Sequence, residues 1–545
     1  MRKLLLLFLI LLSVNRLSAE PVDKYSEINQ SFELYGELYR LLLNNYVLEL
    51  SPEELTNSAI KGILSSLDPY TEYYSEKEKT DVEKMTQGTY IGFGITVTSI
   101  DSAIAIENVV EGFSAYKNGV RPGDIIYKID STVVINLNID SLGVYTGGTP
   151  STIADVWLIR GKDTLLKKLT REKIERKDVA YCGFINDSIA YISLSGFTKT
   201  ASYEIRGALN SLNRIRKPAG LILDLRNNPG GLVQSAVAIC ELFLQQGDMV
   251  VSIKGNNDDN NAEFKTFLPP DMPDIKLAVL INGMSASASE IVAGAVQDLD
   301  RGVVLGTRSF GKGLVQSFFP LPFKAQMKVT TARYYTPSGR CIQRRNFADA
   351  YQKDNGFVED TNKVVERIFK TKNGRDVKES HGIDPDSLIL PEKFADYLYD
   401  LSEKHTFFKF GTIYTSGLDS LPKNFAITES IIKDFKKYLD STNYQYETEE
   451  VRLLRMLRNK AFESGADAKI MTDIEDINKI FLARQADEFN KNKDIIKKAL
   501  EQEILTRFYP DRKILERFIP SDNLVQSACS ILTSKVYENM LKKKN

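Results

Sequence analysis

A serine-rich turn is the first feature of this sequence that could carry chemistry. Ser285, Ser287 and Ser289 alternate with alanine after a buried apolar run and a glycine turn. A hydroxyl there would lie at a helix amino terminus, where free N–H groups and the helix dipole favour an anion such as a developing oxyanion. The same pattern is also typical of an N-cap serine followed by small packing residues, so this segment alone leaves both interpretations open.

A nucleophilic serine needs a base, and the sequence has two histidines, His381 and His405. His381 lies in a polar turn and His405 in a charged helical region, so neither has a supporting context. Lys312 lies between two glycines with apolar flanks, and burial of that kind lowers the pKa of a lysine. Gln316 follows four residues later and could orient the amine. A surface lysine in a glycine turn is the alternative.

A second glycine turn could supply hydrogen-bond donors to an oxyanion. Gly230 and Gly231 follow the predicted strand Gly220–Leu225, and their backbone N–H groups would be unobstructed. Together with the amide of Ala288, one of them could stabilise negative charge on a carbonyl oxygen. A plain strand-to-helix turn is the alternative.

Taken together, these segments resemble the C-terminal processing peptidases, also called tail-specific proteases. The motifs that carry the resemblance stand in one order, and the match to the family extends over roughly residues 30 to 390. In chain order they are Leu225–Gly231, Ser285–Ile291, Phe310–Gly313 with Gln316, and Tyr334–Arg340.

The resemblance assigns a role to each candidate residue. It implies that Ser287 is the nucleophile, Lys312 the base and Gln316 the residue that orients the base. Ala288 and one of the two glycines, Gly230 or Gly231, would form the oxyanion hole. The implied activity is serine-type endopeptidase cleavage near the C-termini of protein substrates, and the implied core is similar to the crotonase and caseinolytic-protease folds.

The same resemblance makes residues 87–172 a PDZ domain, which captures a chain terminus by strand addition and holds its carboxylate on backbone amides. The carboxylate loop would have an aromatic residue between two glycines. This spelling leaves two roles open for the loop, tail capture and gating. The residues expected to bind substrate are Tyr90, Ile91, Gly92, Phe93, Gly94 and Ile95.

The periodicity predicts a multidomain α/β protein with a small β-rich module, which the resemblance identifies as an inserted PDZ domain. Strands and helices alternate after about residue 180, which indicates a largely buried sheet. The remaining chain is predicted to be helical at both ends. The expected divisions are a signal peptide at 1–19, an N-terminal helical region at 20–86, the PDZ domain at 87–172, a peptidase core at 173–390 and a C-terminal helical region at 391–545.

The amino terminus and the charge bear on location and partners. Arg2 and Lys3 precede an apolar run that is too short to cross a bilayer, which favours a secretory signal. We therefore expect export to the periplasm or cell envelope, with membrane association as the alternative.

A formal net charge of −1 gives no global basic field for nucleic acid. The four scattered cysteines predict no metal site, and no motif predicts a cofactor.

Other functions and partners remain open at this level. A PDZ adaptor with an inactive core is one alternative, and a crotonase-like thioester enzyme is another. Protein or peptide C-terminal tails are the expected substrates, while an adaptor protein and a second copy of the chain are further candidate partners. The sequence does not specify the substrates, the cleavage preference or what opens the site.

Overall fold

The computed structural model describes residues 24–76, 78–79, 89–344, 367–379, 381–391, 396–485 and 487–543. The predicted signal peptide, residues 1–19, lies outside them. Within these ranges no helix combines the length and apolar character that a membrane crossing requires.

The first described region is a pair of helices followed by a short strand. Ser51 caps the second helix by accepting the N–H of Glu54, and Pro52 occupies its first turn, where proline fits a helix. Many apolar side chains of the first helix, among them Phe32, Leu34 and Leu38, are exposed. The elements are α1 (Lys24–Asn45), α2 (Pro52–Ser65) and β1 (Glu72–Tyr74).

The next region is a small β-rich module with its own apolar core, centred on Ile104, Ile126 and Leu158. Its main sheet has the order β3-β4-β5-β7-β8, so β3 is an edge strand, and β2 pairs separately with β9. The elements are β2 (Thr89–Gly92), β3 (Ile95–Ile100), β4 (Ala103–Val109), α3 (Ser114–Lys117), β5 (Ile125–Ile129), β6 (Thr132–Val133), α4 (Ile139–Thr146), β7 (Ile153–Arg160), β8 (Asp163–Thr170) and β9 (Glu172–Glu175).

The central region is an α/β layer. Its sheet has the order β10-β11-β12-β15-β16-β21, with parallel pairing from β11 to β21, and its strands are apolar on both faces because helices cover both sides. The elements are β10 (Val179–Phe184), β11 (Ile189–Leu194), α5 (Ala201–Ile215), β12 (Gly220–Asp224), α6 (Val233–Cys240), β13 (Met249–Gly255), β14 (Ala262–Lys265), β15 (Lys276–Ile281), α7 (Ala288–Asp298), β16 (Val303–Gly306), β17 (Leu314–Pro320), β18 (Gln326–Tyr335), β19 (Ile368–Lys370), β20 (Asp376–Lys378) and β21 (Ser387–Leu388).

A second sheet stands beside the first and includes a strand from before the β-rich module. Its order is β1-β18-β13-β14, with β17 paired to β18. In the antiparallel pairing of β1 with β18, Glu72 lies opposite Lys328 and Tyr74 opposite Gln326. The residues of β1 therefore belong structurally to the central region, although the sequence pattern had assigned them to an N-terminal helical region.

The C-terminal region is helical, as predicted. One group of helices has its own apolar core around Phe435, Leu398 and Ile504, and the last helices pack beneath the parallel sheet. The elements are α8 (Asp396–Glu403), α9 (Thr406–Thr415), α10 (Glu429–Ser441), α11 (Glu449–Glu463), α12 (Ala468–Gln485), α13 (Glu488–Lys491), α14 (Lys493–Leu505), α15 (Asp511–Phe518), α16 (Asn523–Leu532) and α17 (Val536–Met540).

The predicted fold class is confirmed, with differences at element ends. The sequence predicts one helix from Gly231 to Leu244, whereas α6 covers only Val233–Cys240. Gly231 has φ +152° and forms an isolated bridge with Phe197, so it lies in the turn and not in the helix.

Candidate active site

The nucleophile candidate, Ser287, occupies the position just before helix α7. Its backbone has φ +55° and ψ −114°, a combination that a residue with a side chain rarely adopts and that costs about 1–3 kcal/mol. Its residue surface is 8% exposed. A serine on such a turn between a buried strand and a helix has the geometry that presents a hydroxyl beside free helix N–H groups.

One buried carboxylate joins the nucleophile candidate to the base candidate. Oε2 of Glu290 accepts the backbone N–H of Ser287 (2.9 Å) and also that of Lys312 (2.9 Å). Oε1 of the same group accepts the N–H of Gly311 (2.7 Å) and the hydroxyl of Ser309 (2.5 Å). The two candidate residues are therefore held within two hydrogen bonds of each other at the level of the backbone.

Burial raises the pKa of Glu290, and the four hydrogen bonds oppose that rise. Three of the four donors are backbone N–H groups, which can only donate, and such bonds favour the charged form of the carboxylate. Sequence reasoning missed this residue. The signal was available, because Ser287 and Glu290 have the spacing of a helix capping box.

Residues 225–231, here called the oxyanion turn, lie directly against Ser287. A Cβ atom added to Gly230 would be 2.6 Å from the carbonyl oxygen of Ala286, 2.9 Å from Cβ of Ser287 and 2.9 Å from the backbone nitrogen of Ala288. Gly230 has φ +97°, so glycine is required there both for conformation and for space. The structure therefore brings together Ser287, Ala288 and Gly230.

Asn228 decides which amides of this turn are available. Its side-chain oxygen accepts the N–H of Gly230 at 2.9 Å, and its amide nitrogen donates to the carbonyl of Leu194 at 2.8 Å. Among the described residues, the N–H groups of Gly231 and Ala288 have no acceptor. The geometry thus favours Gly231 over Gly230 as the partner of Ala288 in stabilising an oxyanion.

Further hydrogen bonds fasten the oxyanion turn to the nucleophile turn, residues 282–289. The Ser285 hydroxyl donates to the carbonyl of Leu225 at 2.8 Å. The side-chain oxygen of Asn282 accepts the N–H of Asn227 at 3.0 Å, and the Ser289 hydroxyl donates to the carbonyl of Asn228 at 2.9 Å. Ser285 and Ser289 therefore hold the turns together, which leaves Ser287 as the serine of the motif without such a structural bond.

The Lys312 amine has different surroundings. Its Nζ lies 4.6 Å from the centre of the Tyr70 ring, and it has no hydrogen-bond acceptor in the part of the chain that the structure describes. Burial lowers the pKa of Lys312, and the nearby Lys328 ammonium lowers it further, while the carboxylates of Glu72, Glu290 and Asp68 oppose this. A lysine in this environment loses its proton more easily than one in water.

The remaining candidates have mixed positions. Gln316 lies on β17, and its side-chain nitrogen donates to the hydroxyl of Thr330 at 3.4 Å. Burial raises the pKa of Tyr334 to about 12, and a hydrogen bond with the Ser287 side chain opposes that rise. Sequence reasoning did not identify Tyr334 as a neighbour of Ser287. His381 lies against Gly311 through its backbone oxygen, and His405 precedes α9 in the helical region.

The candidate carboxylate loop, residues 90–95, lies in the β-rich module and therefore in a different domain from Ser287. Phe93 is 1% exposed in the core of that module, so only its backbone can contact a ligand. The N–H groups of Phe93 and Gly94 have no acceptor among the described residues, while their carbonyls accept from Ala115 and Val110. Ile95 begins the edge strand β3. Tyr90 and Gly92 pack against each other, and Ile91 pairs with Lys173.

This arrangement can support acyl transfer. It provides a hydroxyl at a strained turn, the N–H groups of Ala288 and Gly231, which have no acceptor among the described residues, and a lysine whose pKa is lowered. No group of three or more His, Cys, Asp or Glu side chains that could hold a metal ion occurs within the described ranges.

Three family models match separate parts of the chain. The PDZ domain model matches residues 80–148, and the model of peptidase family S41 matches residues 188–351. A third, described as the C-terminal helical domain of a probable PDZ-protease, matches residues 397–532. The S41 match contains both Ser287 and Lys312.

Curated proteins and solved structures give further similarities. The chain is 36% identical over 333 residues to the carboxy-terminal-processing protease of Bartonella bacilliformis, covering 60% of this chain and 76% of that protein. It is 29% identical to a probable CtpA-like serine protease of Staphylococcus haemolyticus, covering 56% of this chain and 61% of that protein. A solved photosystem II D1 C-terminal processing protease is 24% identical with a TM-score of 0.34, covering 65% of this chain and 92% of that one.

Proposed function

The chain belongs to the S41 family of carboxy-terminal-processing proteases, serine-type peptidases with a PDZ domain, and on that premise we propose that Ser287 and Lys312 form its catalytic dyad. The observation that carries the proposal is the Glu290 carboxylate. Its Oε2 atom accepts the backbone N–H groups of both residues at 2.9 Å. Two residues that are 25 positions apart in sequence are thereby held in one rigid unit.

The proposed reaction begins with a neutral Lys312 amine. Its nitrogen takes the hydroxyl proton of Ser287 as Oγ attacks the scissile carbonyl carbon, and the charge develops on the carbonyl oxygen. The Lys312 ammonium then gives its proton to the departing amine as the C–N bond breaks. Lys312 then takes a proton from a water molecule, and the water oxygen attacks the ester carbon. When the ester C–O bond breaks, Lys312 returns that proton to Oγ of Ser287.

Before this step the Lys312 side chain must turn away from the Tyr70 ring. No hydrogen bond joins Ser287 to Lys312 among the described residues, and the side chain near Ser287 is instead the Tyr334 phenol, whose burial-raised pKa the Ser287 side chain lowers. Catalytic hydrogen bonds are often long or unformed without substrate, so this geometry is compatible with the proposal. Gln316 lies four residues after Lys312, on β17. Its side chain would orient the Lys312 amine once the amine has moved towards Ser287.

The oxyanion would be stabilised by the N–H groups of Ala288 and Gly231. Both lack an acceptor in the described structure, whereas the N–H of Gly230 is already bonded to Asn228. Preorganised donors of this kind cost little reorganisation during the reaction.

The PDZ domain binds peptide C-terminal tails, and we propose that its loop from Tyr90 to Ile95 receives the tail carboxylate. The free N–H groups of Phe93 and Gly94 are suitable donors for a carboxylate. The open edge of β3 lies directly after them and could add the tail as another strand. Cleavage near the bound end would then follow in the core.

Export to the periplasm or cell envelope is also part of the proposal, because residues 1–19 have the pattern of a secretory signal. Sequencing the amino terminus of protein recovered from the envelope fraction tests it, and we expect a start near Glu20. An adaptor protein and a second copy of the chain remain predicted partners. Light scattering of the purified protein checks the second, and activity that requires a partner would support the first.

Replacing the dyad residues tests the catalytic proposal. We expect Ser287→Ala and Lys312→Met each to lower the cleavage rate of fluorescently labelled casein by roughly a thousandfold or more. Ser211→Ala, on an exposed helix face, and Lys324→Met, which is 78% exposed in the turn between β17 and β18, serve as matched controls with unchanged rates. Wild-type cleavage by Lys312→Met would remove Lys312 from the mechanism.

Mass spectrometry of envelope proteins identifies the substrates. Cells carrying Ser287→Ala are compared with wild type, and we expect a set of proteins to retain C-terminal residues that the wild type removes. Identical C-termini in both strains would contradict tail processing.

A further inference from the structure

The C-terminal helices contact the PDZ domain mainly through polar groups. The Arg121 guanidinium donates to the backbone carbonyls of Leu418 (2.7 Å) and Asp419 (3.0 Å). It also lies over the Phe508 ring at 4.6 Å. Arg121 therefore connects the PDZ domain both to the loop after α9 and to the segment that leads into α15.

The first turn of α15 adds two more contacts with the PDZ domain. The side-chain amide of Asn108 donates to Asp511 at 2.8 Å, and the Arg512 guanidinium pairs with Glu111 at 2.7 and 3.0 Å. Lys409 on α9 pairs with Asp101 at 2.7 Å. These groups are largely exposed, so each pair alone contributes little to stability. Together they hold α9 and the first turn of α15 against the PDZ domain.

The other end of the same segment reaches the catalytic sheet. After α15 the turn Ile519–Ser521 leads to Asp522, which caps α16 by accepting the N–H groups of Leu524 and Val525 at 2.9 and 3.1 Å. The apolar face of α16 packs beneath the parallel sheet against Ile222 and Leu280. One short helix therefore spans from the PDZ domain to the underside of the core.

Asp522 also holds a residue of the oxyanion turn. Its Oδ2 atom accepts from the Arg226 guanidinium at 2.8 Å. The same guanidinium forms hydrogen bonds with both carboxylate oxygens of Asp224, which in turn accepts the hydroxyl of buried Tyr191 at 2.7 Å. Arg226 follows Leu225, whose carbonyl receives the Ser285 hydroxyl. Any displacement of Asp522 would thus act on the first residues of the oxyanion turn.

We propose that helix α15, with the turn that leads from it to Asp522, couples the position of the PDZ domain to the oxyanion turn, and that Asp522 is a positioning residue for catalysis. The inference rests on the proposed function for its effect on rate, but its structural part does not depend on it. Packed, rigid elements carry displacements between sites in this way, and the contact at each end of α15 is specific. Binding of a substrate tail to the PDZ domain would then adjust the amides that receive the oxyanion.

Hydrogen–deuterium exchange tests the coupling without any substrate. Arg121→Ala removes the Arg121 contacts with Leu418, Asp419 and Phe508, and we expect exchange in peptides covering residues 225–231 to rise by roughly threefold. Asp522→Asn should give a similar rise, because asparagine keeps the helix cap but removes the charge that faces Arg226. Lys168→Ala, which removes an exposed PDZ ion pair with Asp155, is the control and should leave that exchange unchanged.

Glu111→Lys provides a second way to disturb the contact, since it places a like charge opposite Arg512 and changes no buried group. Unchanged exchange at residues 225–231 in both Arg121→Ala and Glu111→Lys, with increased exchange at 508–512, would overturn the coupling. That result could occur even if Ser287→Ala abolishes cleavage, so it is distinct from failure of the proposed function.

Steady-state kinetics tests the positioning role. We expect Asp522→Asn to lower kcat by roughly tenfold with little change in KM, because an oxyanion contact acts only in the transition state. Adding Arg121→Ala to Asp522→Asn should lower kcat no further, since both act through one path. Fully multiplicative losses, an unchanged kcat in Asp522→Asn, or a change only in its thermal unfolding would each overturn the proposal.

Discussion

The nucleophile side and the base side of the site are held by different kinds of contact. Ser287 lies in the nucleophile turn, which several hydrogen bonds join to the oxyanion turn, and its strained backbone is fixed by its neighbours. The Lys312 N–H is also held by Glu290, but within the described ranges the amine contacts the Tyr70 ring and has no hydrogen-bond acceptor, with charges at longer range. The nucleophile is therefore preorganised, whereas the amine is free to move.

This difference suggests a division of work. Oxyanion donors must be in place before the reaction, because they stabilise charge without reorganising. The base must change both its proton and its direction during the cycle, so a hydrogen-bonded cage around the amine would hinder it. Substitutions can test this contrast between a preorganised nucleophile and a mobile base. One changes both sides of the site, one only the nucleophile side and one only the base side.

The largest effect is expected where the two sides meet, at Glu290→Gln. An amide offers one oxygen in place of two, so two of the four donors would lose their acceptor. We expect a loss of about 2–4 kcal/mol in the free energy of unfolding and a decrease of roughly a hundredfold or more in kcat. Chemical denaturation and casein cleavage measure the two quantities.

Glu241→Gln is the matched control for this change, because Glu241 also accepts two backbone N–H groups but lies outside the site. Its kcat should equal that of the wild type. An active, stable Glu290→Gln protein would break the comparison, since the two sides would then be independent.

A smaller effect, confined to the nucleophile side, is expected for Gly230→Ala. The new Cβ would lie 2.6 Å from the Ala286 carbonyl oxygen, so the oxyanion turn must shift away from Ser287. We expect kcat to fall by roughly a hundredfold, as for loss of an oxyanion donor, while the pH dependence of the rate keeps its shape. Gly247→Ala is the control, because Gly247 has φ +87° but open space around it. Equal losses in both variants would point to backbone strain alone.

The smallest effect is expected on the base side, from Tyr70→Leu. Burial lowers the pKa of Lys312, so the rate should rise with pH as the amine loses its proton, and fall as pH drops through that pKa. The Tyr70 ring stabilises the charged amine, so its removal should move this acidic limb to lower pH by roughly half a unit to one unit. Tyr70→Phe keeps the ring and should leave the limb unchanged. A pH–rate profile of each variant decides, and a limb that moves upward would mean that the ring acts by excluding water.

The parts of the site that sequence could predict are those built by neighbouring residues. The alternation of strands and helices, the helix after Ser287 and the glycine turn before α6 all follow from local patterns, and the fold class is confirmed. The roles of Ser287, Lys312, Gln316 and the oxyanion residues stay predictions. Glu290 could have been found from its capping-box spacing with Ser287.

Contacts between distant segments could not be predicted in this way. Tyr70, in the turn before β1, and Glu72, on β1, precede the PDZ domain, yet they lie near a lysine about 240 positions later. The pairing of β1 with β18 that brings them there leaves no periodic signal, because β1 has only three residues. The contact between Asp522 and Arg226 spans an even longer separation and likewise depends on tertiary packing alone.

The pairing of β1 with β18 makes the catalytic unit discontinuous in the chain. A fragment that began at the first residue of the PDZ domain would retain the serine, the lysine and both glycine turns, but it would lack the aromatic cover of the amine. Conversely, a single cut inside the PDZ domain would leave two pieces that the second sheet can still hold together. Trimming from the amino terminus should therefore be tolerated only until it reaches the residues just before β1.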